Sequence, residues 1–324
     1  MALTNGKYRH AQFKMADEYF LTMDTIVEEM DKGTYDSSFK DANVLAFCHK
    51  LSERAKTNDL FKYLEDNSER LAWNTLIKSY YDNDVCVVET VSRDGSRKFE
   101  CLHIDNDEGR LNSLVELVQD VDLVIGNPRG SLFADVYQIV QDSGIEFILW
   151  GIMSKIINQN LNYDYKRGLW QYGNTYNKPM PHYKGDTDVI KNMNTTSVFT
   201  NCDVKVDHKL IKAKKKMQQL IESGKLYKFD NLDMFNIDRC ENLPCDYPIG
   251  ELLALPISCV PKMDETMWKY RGIVNSFGCP NEEKGRFCGE EQLIVTNGKV
   301  TKTRIGCKDG KAVFTRCVFE RISY

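Results

Sequence analysis

The sequence predicts an α/β protein built on a doubly wound, mostly parallel sheet, with irregular and β-rich additions toward its carboxyl end. Three observations carry this expectation. Short apolar runs alternate with stretches of helical periodicity between residues 44 and 152. The runs VLAFC (44–48), DLVIG (122–126) and IEFILWGI (145–152) are nearly unbroken, as strands covered on both faces tend to be. Beyond residue 195 the helical stretches thin out, and short strand-like runs separated by Gly and Asn turns take over.

Taken in order, residues 13–30 show apolar residues at helical spacing, with Asp17 or Thr25 available as caps. KGTYDSSFKDAN reads as a loop, and VLAFC as the first buried strand. Over 58–79, Leu60, Phe61, Leu64, Leu71, Leu76 and Ile77 recur at three- and four-residue steps, predicting one or two amphipathic helices. VCVVETV (85–91) is a strand, SRDGSR a turn centred on Asp94-Gly95, and KFECLHI a further strand. NSLVELVQ reads as a short helix, DLVIG as a strand, SLFADVYQIVQD as a helix and IEFILWGI as a strand. Residues 153–195, rich in Asn, Tyr and Lys, read as an irregular functional insertion. TSVFTNC (196–202) returns to strand, and 206–223 to helix. ELLALPISCV, EQLIVTN and KAVFTRCVFE close the chain as short strands. The expected parts are therefore 1–152 as an α/β core, 153–195 as the insertion, and 196–324 as the β-rich continuation of the core.

The 324 residues are 42% hydrophobic and 28% charged, with a formal net charge of −4. A wholly basic surface is thereby excluded, while a local basic groove is not. No apolar stretch reaches the roughly 18 residues of a membrane span, and the first twenty residues lack the apolar core of a secretory signal. The cytoplasm is the expected compartment. Eleven cysteines are scattered without a C-x-x-C pair, so no metal site is expected. Cys48 and Cys86 sit in apolar contexts and read as small buried hydrophobes. The nucleophile elbow G-x-S-x-G and the phosphate-binding P-loop are both absent.

The stretch VDLVIGNPRGSLF (121–133) carries the functional signal. Asn127-Pro128 follows a buried strand, where open α/β sheets bind ligands. An Asn oxygen and a proline carbonyl at that place can accept hydrogen bonds from an exocyclic amino group, which orients the nitrogen lone pair. Amino-methyltransferases have there Asp, Asn or Ser, then Pro-Pro and an aromatic that stacks on an extruded base.

The chain resembles the EcoRI-type adenine-specific DNA methyltransferase family. The likeness runs through Ser131, Leu132 and Phe133 after the loop, Asp17-Glu18-Tyr19 in the N-terminal block, DLFKYL and LIKSYYDN, SVFTN, the long run 227–260 and FTRCVFER (314–321). Three departures stand out. Arg129 and Gly130 replace the second proline and the aromatic. Cys48 matches a family Cys, but His49, Lys50 and Leu51 follow it in place of an acidic pair and a proline. IDNDEGRLNS (104–113) keeps polarity through Asp105, Asn106 and Asp107, without the family's Gly-Asp pattern.

The resemblance implies a Rossmann-like methyltransferase fold, S-adenosylmethionine as donor, duplex DNA as partner and a flipped adenine as acceptor. Carried over, Asn127, Pro128, Arg129 and Gly130 form the catalytic loop, and Asp17, Glu18, Tyr19, Cys48, Asp105 and Asp107 meet the donor. Glu89, at the end of VCVVE, is a strand-end acid of the sort that binds ribose hydroxyls. Lys166 and Arg167, among tyrosines, and Lys214 and Lys215, in KAKKK, are the candidate phosphate contacts. An alternative stays open: a catalytically inactive protein of the same fold that binds DNA or a protein partner. Recognition sequence and oligomeric state are not legible.

Overall fold

A computed structural model describes residues 19–51, 58–82, 85–103, 107–184, 187–274, 281, 283–296, 299–304, 306–309, 311–313 and 315–324. The chain forms two compact units, Met1–Lys155 with Trp170–Asp207, and Ile156–Leu169 with His208–Tyr324.

The first unit holds a ten-stranded sheet. Its strands are β1 (Tyr19–Leu21), β2 (Asn43–Leu51), β3 (Thr75–Asp82), β4 (Val85–Ser92), β5 (Arg97–His103), β6 (Leu123–Gly126), β7 (Glu146–Ile152), β8 (Gln171–Tyr172), β9 (Lys178–Lys184) and β10 (Ile190–Thr200). They lie in the order β1-β9-β10-β7-β6-β2-β3-β4-β5, with β8 paired to β10. Only β3, β2, β6 and β7, at the centre, run parallel. The remaining pairings are antiparallel, so the expected mostly parallel sheet is in fact mixed. The reason lies in the connections: the Asp94-Gly95 turn joining β4 to β5 is far too short for the crossover that parallel strands need.

Helices cover both faces of this sheet. On one, α1 (Met23–Met30), α2 (Asp36–Phe39), α3 (Asp59–Asp66) and α4 (Ser68–Leu71) bury Ile26, Met30, Phe39, Leu60, Leu64 and Leu71 against Val44, Ala46, Ile125 and Ile148. On the other, α6 (Phe133–Asp142), which follows α5 (Asp107–Leu117) in the chain, sets Phe133 edge-on to Phe199 at 4.9 Å and Tyr137 edge-on to Phe147 at 5.7 Å.

Several expected boundaries shift. Residues 19–21 are strand, and α1 starts later, capped by Thr22, whose hydroxyl accepts from Thr25 N at 3.4 Å. Helix stops at Leu71 because Ala72 turns left-handed (φ 53°), so Leu76 and Ile77 belong to β3. α6 begins at Phe133 rather than at Ser131.

Strands occur within 153–195, the stretch expected to be an irregular insertion. β9 and β10 extend the main sheet, and Trp170, Tyr172 and Tyr176 are buried, with Trp170 and Tyr172 packed on Phe199. Apolar rings gain more from the core than from lining a wet cleft.

Among the described residues, the second unit contains α7 (Gln159–Lys166), α8 (Met217–Glu222) and ten strands: β11 (Leu226–Lys228), β12 (Phe235–Ile237), β13 (Leu252–Pro256), β14 (Trp268–Val274), β15 (Arg286–Phe287), β16 (Gln292–Thr296), β17 (Lys299–Thr303), β18 (Cys307–Lys308), β19 (Lys311–Ala312) and β20 (Arg316–Arg321). Six of them form a sheet in the order β11-β12-β13-β20-β14-β15. α7 packs on it through Tyr165, edge-on to Tyr270, whose hydroxyl donates to Asn162 Oδ1 at 2.7 Å. Cys240 and Cys259 form a disulfide, whereas Cys48 and Cys86 are buried, as expected.

The helix expected over 206–223 is confined to α8. Helix would bring Lys209, Lys212, Lys215 and Lys216 together at three- and four-residue spacing, where like charges repel. The backbone bonds elsewhere instead: Ile211 N donates to Lys262 O at 2.8 Å and Cys245 N to Lys215 O at 3.0 Å.

Candidate active site

Because β2, β6 and β7 are parallel, their carboxyl ends share one edge of the sheet. Asn127 is the first residue beyond β6. Gly126 before it must lack a side chain, since a Cβ there would lie 2.6 Å from the Phe47 ring. Phe47 can therefore cross the end of β6 and support the loop from below.

Asn127 lines two cavities. The larger, about 400 Å³, is bounded by Tyr19, Asn127, Pro128, Gly130, Phe133, Trp150, Gly151, Ile152, Lys155, His182, Met193 and Thr196. The smaller, about 230 Å³, is bounded by Phe20, Leu21, Phe47, Cys48, Asn58, Leu60 and Asn127. Register explains how distant segments converge here. Thr196 pairs with Ile152, and His182 pairs with both Leu21 and Lys191. β1, β9 and the first half of β10 therefore stand beside the ends of β6 and β7.

The loop is fixed at both ends. The Asn127 amide nitrogen is 3.5 Å from the Tyr19 carbonyl, a long contact that turns the amide oxygen the other way. Lys155, buried, donates to the Gly130 carbonyl, and its ammonium stands 5.6 Å from the centre of the Phe133 ring. Arg129 is half-buried, and its own carbonyl accepts from Leu132 N at 3.0 Å. It lines neither cavity, whereas Asn127, Pro128 and Gly130 do. His182 is buried, with Nδ1 2.8 Å from the Met180 carbonyl. A carbonyl only accepts, so Nδ1 carries a proton.

The expected donor contacts divide. Cys48 lines the smaller cavity, and Tyr19 the larger. Asp17, Glu18 and Asp105 lie outside the described residues, and Asp107 opens α5 with its side chain undescribed. Glu89 lines neither cavity. It is buried mid-sheet between Lys78, at 2.6 Å, and Arg97. β4 runs antiparallel to β3, so the end of VCVVE does not reach the carboxyl edge of the parallel strands.

Of the candidate phosphate contacts, Lys166 donates to the Glu283 carbonyl at 2.8 Å, and Arg167 lies 5.5 Å from the Tyr163 ring. Lys214 and Lys215 are exposed. Sequence reasoning missed Trp150, Lys155 and His182. Each sits in an ordinary-looking strand or turn, and only strand pairing carries it to the loop.

The smaller cavity is lined mainly by apolar side chains, which suit the less polar part of the expected donor. Its walls are mainly Phe20, Leu21, Phe47 and Leu60, with Cys48, Asn58 and Asn127 as polar contacts.

A family described as adenine-specific methyltransferase EcoRI matches residues 100–321. Among curated proteins, the Type II methyltransferase M.MgeORF184P of Mycoplasma genitalium is 21% identical over 267 residues, covering 78% of this chain and 81% of that protein. No solved structure matches the chain.

Proposed function

The chain belongs to the EcoRI adenine-specific methyltransferase family, and from that premise we propose that it transfers a methyl group from S-adenosylmethionine to the N6 atom of an adenine swung out of duplex DNA. The observation that carries this reading is Asn127, shared by two adjoining cavities at the carboxyl edge of the parallel strands. The larger cavity takes the base and the smaller the donor. The central parallel strands then serve as the donor-binding half of a doubly wound methyltransferase sheet.

Asn127 Oδ1 and the Pro128 carbonyl accept the two N6 hydrogens. With both directions occupied by acceptors, the nitrogen lone pair is turned toward the smaller cavity. The contact with Tyr19 holds the Asn127 amide in that sense, and Lys155 holds the loop behind it. Phe20, Leu21, Cys48, Asn58 and Leu60 hold the donor and keep water from the reacting atoms. When bound, S-adenosylmethionine supplies an electrophilic methyl at its sulfonium. No strong base is required, because the methylated ammonium nitrogen is acidic and loses its proton to water. The rate comes chiefly from alignment.

Tritium from methyl-labelled S-adenosylmethionine is expected to enter duplex DNA. Asn127→Ala should lower incorporation by on the order of 100-fold or more. Label in DNA no higher than with heat-killed protein rules the reading out.

A second reading rests on Gly130, which offers no ring where the family has an aromatic. It makes the chain an inactive relative acting by binding DNA or a protein partner. Calorimetry separates the two: micromolar S-adenosylmethionine binding supports the enzyme, and silence supports the binder. In either case the cytoplasm, where DNA is at hand, is the proposed compartment.

A further inference from the structure

We infer that Trp150 reads the base in the larger cavity, its indole N–H donating to the ring nitrogen beside the exocyclic amino group, and that the sheet edge replaces the stacking ring the loop lacks. This rests on the proposed function's assignment of the cavity to a nucleobase. Trp150 lies two residues before the end of β7, is 1% exposed, and lines the cavity with Asn127. Its Nε1 has no hydrogen-bond partner among the described residues. A buried indole N–H normally finds an acceptor. A cavity-lining residue with a buried, unpartnered donor is suited to take a ligand acceptor.

The chemistry of the lining narrows the ligand to a base with an amino group beside a ring nitrogen. Asn127 Oδ1 and the Pro128 carbonyl are acceptors, and Trp150 Nε1 is a donor. Adenine presents the matching pattern on either edge, with the N6 amino donor flanked by N1 on one side and N7 on the other. Guanine and thymine place a carbonyl oxygen where the amino group should be. That oxygen would face two acceptors, so both bases are rejected. Around these polar atoms, Tyr19, Phe133, Trp150 and His182 supply aromatic wall from β1, α6, β7 and β9. A purine can stack there although residue 130 is glycine. Trp150 thus acts as a specificity residue, and the aromatic role has passed from the loop to the sheet.

The test uses the full chain labelled with 15N-tryptophan, whose Trp150 indole resonance is assigned by its loss in Trp150→Phe. The probe is 9-methyladenine, with its 1,7-dideaza analogue, which keeps the amino group but lacks both flanking ring nitrogens, as control. 9-Methyladenine is expected to move the Trp150 indole proton downfield, and the analogue to leave it in place. Trp150→Phe, which keeps the ring and removes the donor, should weaken 9-methyladenine binding about tenfold and leave binding of the analogue unchanged. A resonance unmoved up to the solubility limit of 9-methyladenine, or moved equally by the analogue, overturns the inference. The experiment needs neither S-adenosylmethionine nor turnover. A shifted resonance without methyl transfer removes the enzymatic reading and leaves the base site, whereas transfer with an unmoved resonance does the reverse.

Discussion

Glu29 is fully buried in α1 and accepts from the Tyr35 hydroxyl, from Thr175 N and from Asn174 N, the last at 2.8 Å. Through Asn174 and Thr175 the carboxylate ties the chain before β9 to the helix face of the sheet. Glu29→Ala would strand those donors in the core and is expected to cost roughly 3 kcal/mol, measured by urea unfolding. Burial holds the Glu29 carboxyl above the ordinary carboxylate range, against the pull of its hydrogen bonds. The folded chain therefore binds this proton more tightly than the unfolded chain. Its contribution is most favourable below the unfolded value and declines as pH rises through the folded one. The unfolding midpoint should fall over that interval in the wild type, and this component should be missing in Glu29→Ala. Nothing in TIVEEM marks Glu29 as a core residue, since an acid in an amphipathic helix ordinarily faces water. Asn127 was legible because a polar residue and a proline abruptly end an apolar strand. Trp150 in EFILWGI reads as one more core ring, and its orphan N–H shows only in three dimensions.

At the scale of elements, the loop 127–130 and the helical turn Met153–Ile157 after β7 act together through Lys155. Lys155→Met removes the donor to the Gly130 carbonyl but keeps a stem of similar length. It is expected to lower kcat roughly tenfold to 100-fold with a small change in KM, read in single-turnover and steady-state methyl transfer. Equal kinetics in wild type and variant would show that the loop holds its place without the tether. The order of strands and helices from 44 to 152 was largely readable from apolar runs. Strand direction was not, because period and composition are the same in parallel and antiparallel strands. The Asp94-Gly95 turn held that information and outranks the unbroken apolar runs. KAKKK misled for a related reason: helical periodicity in 206–216 was real on paper, but charge repulsion and the backbone bonds of Ile211 and Lys215 prevailed.

At the scale of the whole molecule, a net charge of −4 requires any DNA contact to be local. Lys209, Lys212, Lys214, Lys215 and Lys216 are exposed along a non-helical stretch. The expected phosphate contacts Lys214 and Lys215 lie in this stretch. Replacing Lys212, Lys214 and Lys215 together with Gln should weaken duplex binding and flatten the slope of log affinity against log salt by about 3, measured by fluorescence anisotropy. An unchanged slope would assign these lysines to solvent alone.

By itself the sequence determined the α/β class, the succession of most elements, the family and the loop at Asn127, because these depend on local pattern along the chain. Tertiary structure alone decided the direction of the outer strands, the fate of the aromatic segment 170–176, and the joining of Tyr19, Trp150, Lys155 and His182 around Asn127. These depend on hydrogen-bonded register between segments up to 165 residues apart, from Tyr19 to Lys184, and register is settled by whole-sheet packing rather than by any stretch of neighbouring residues.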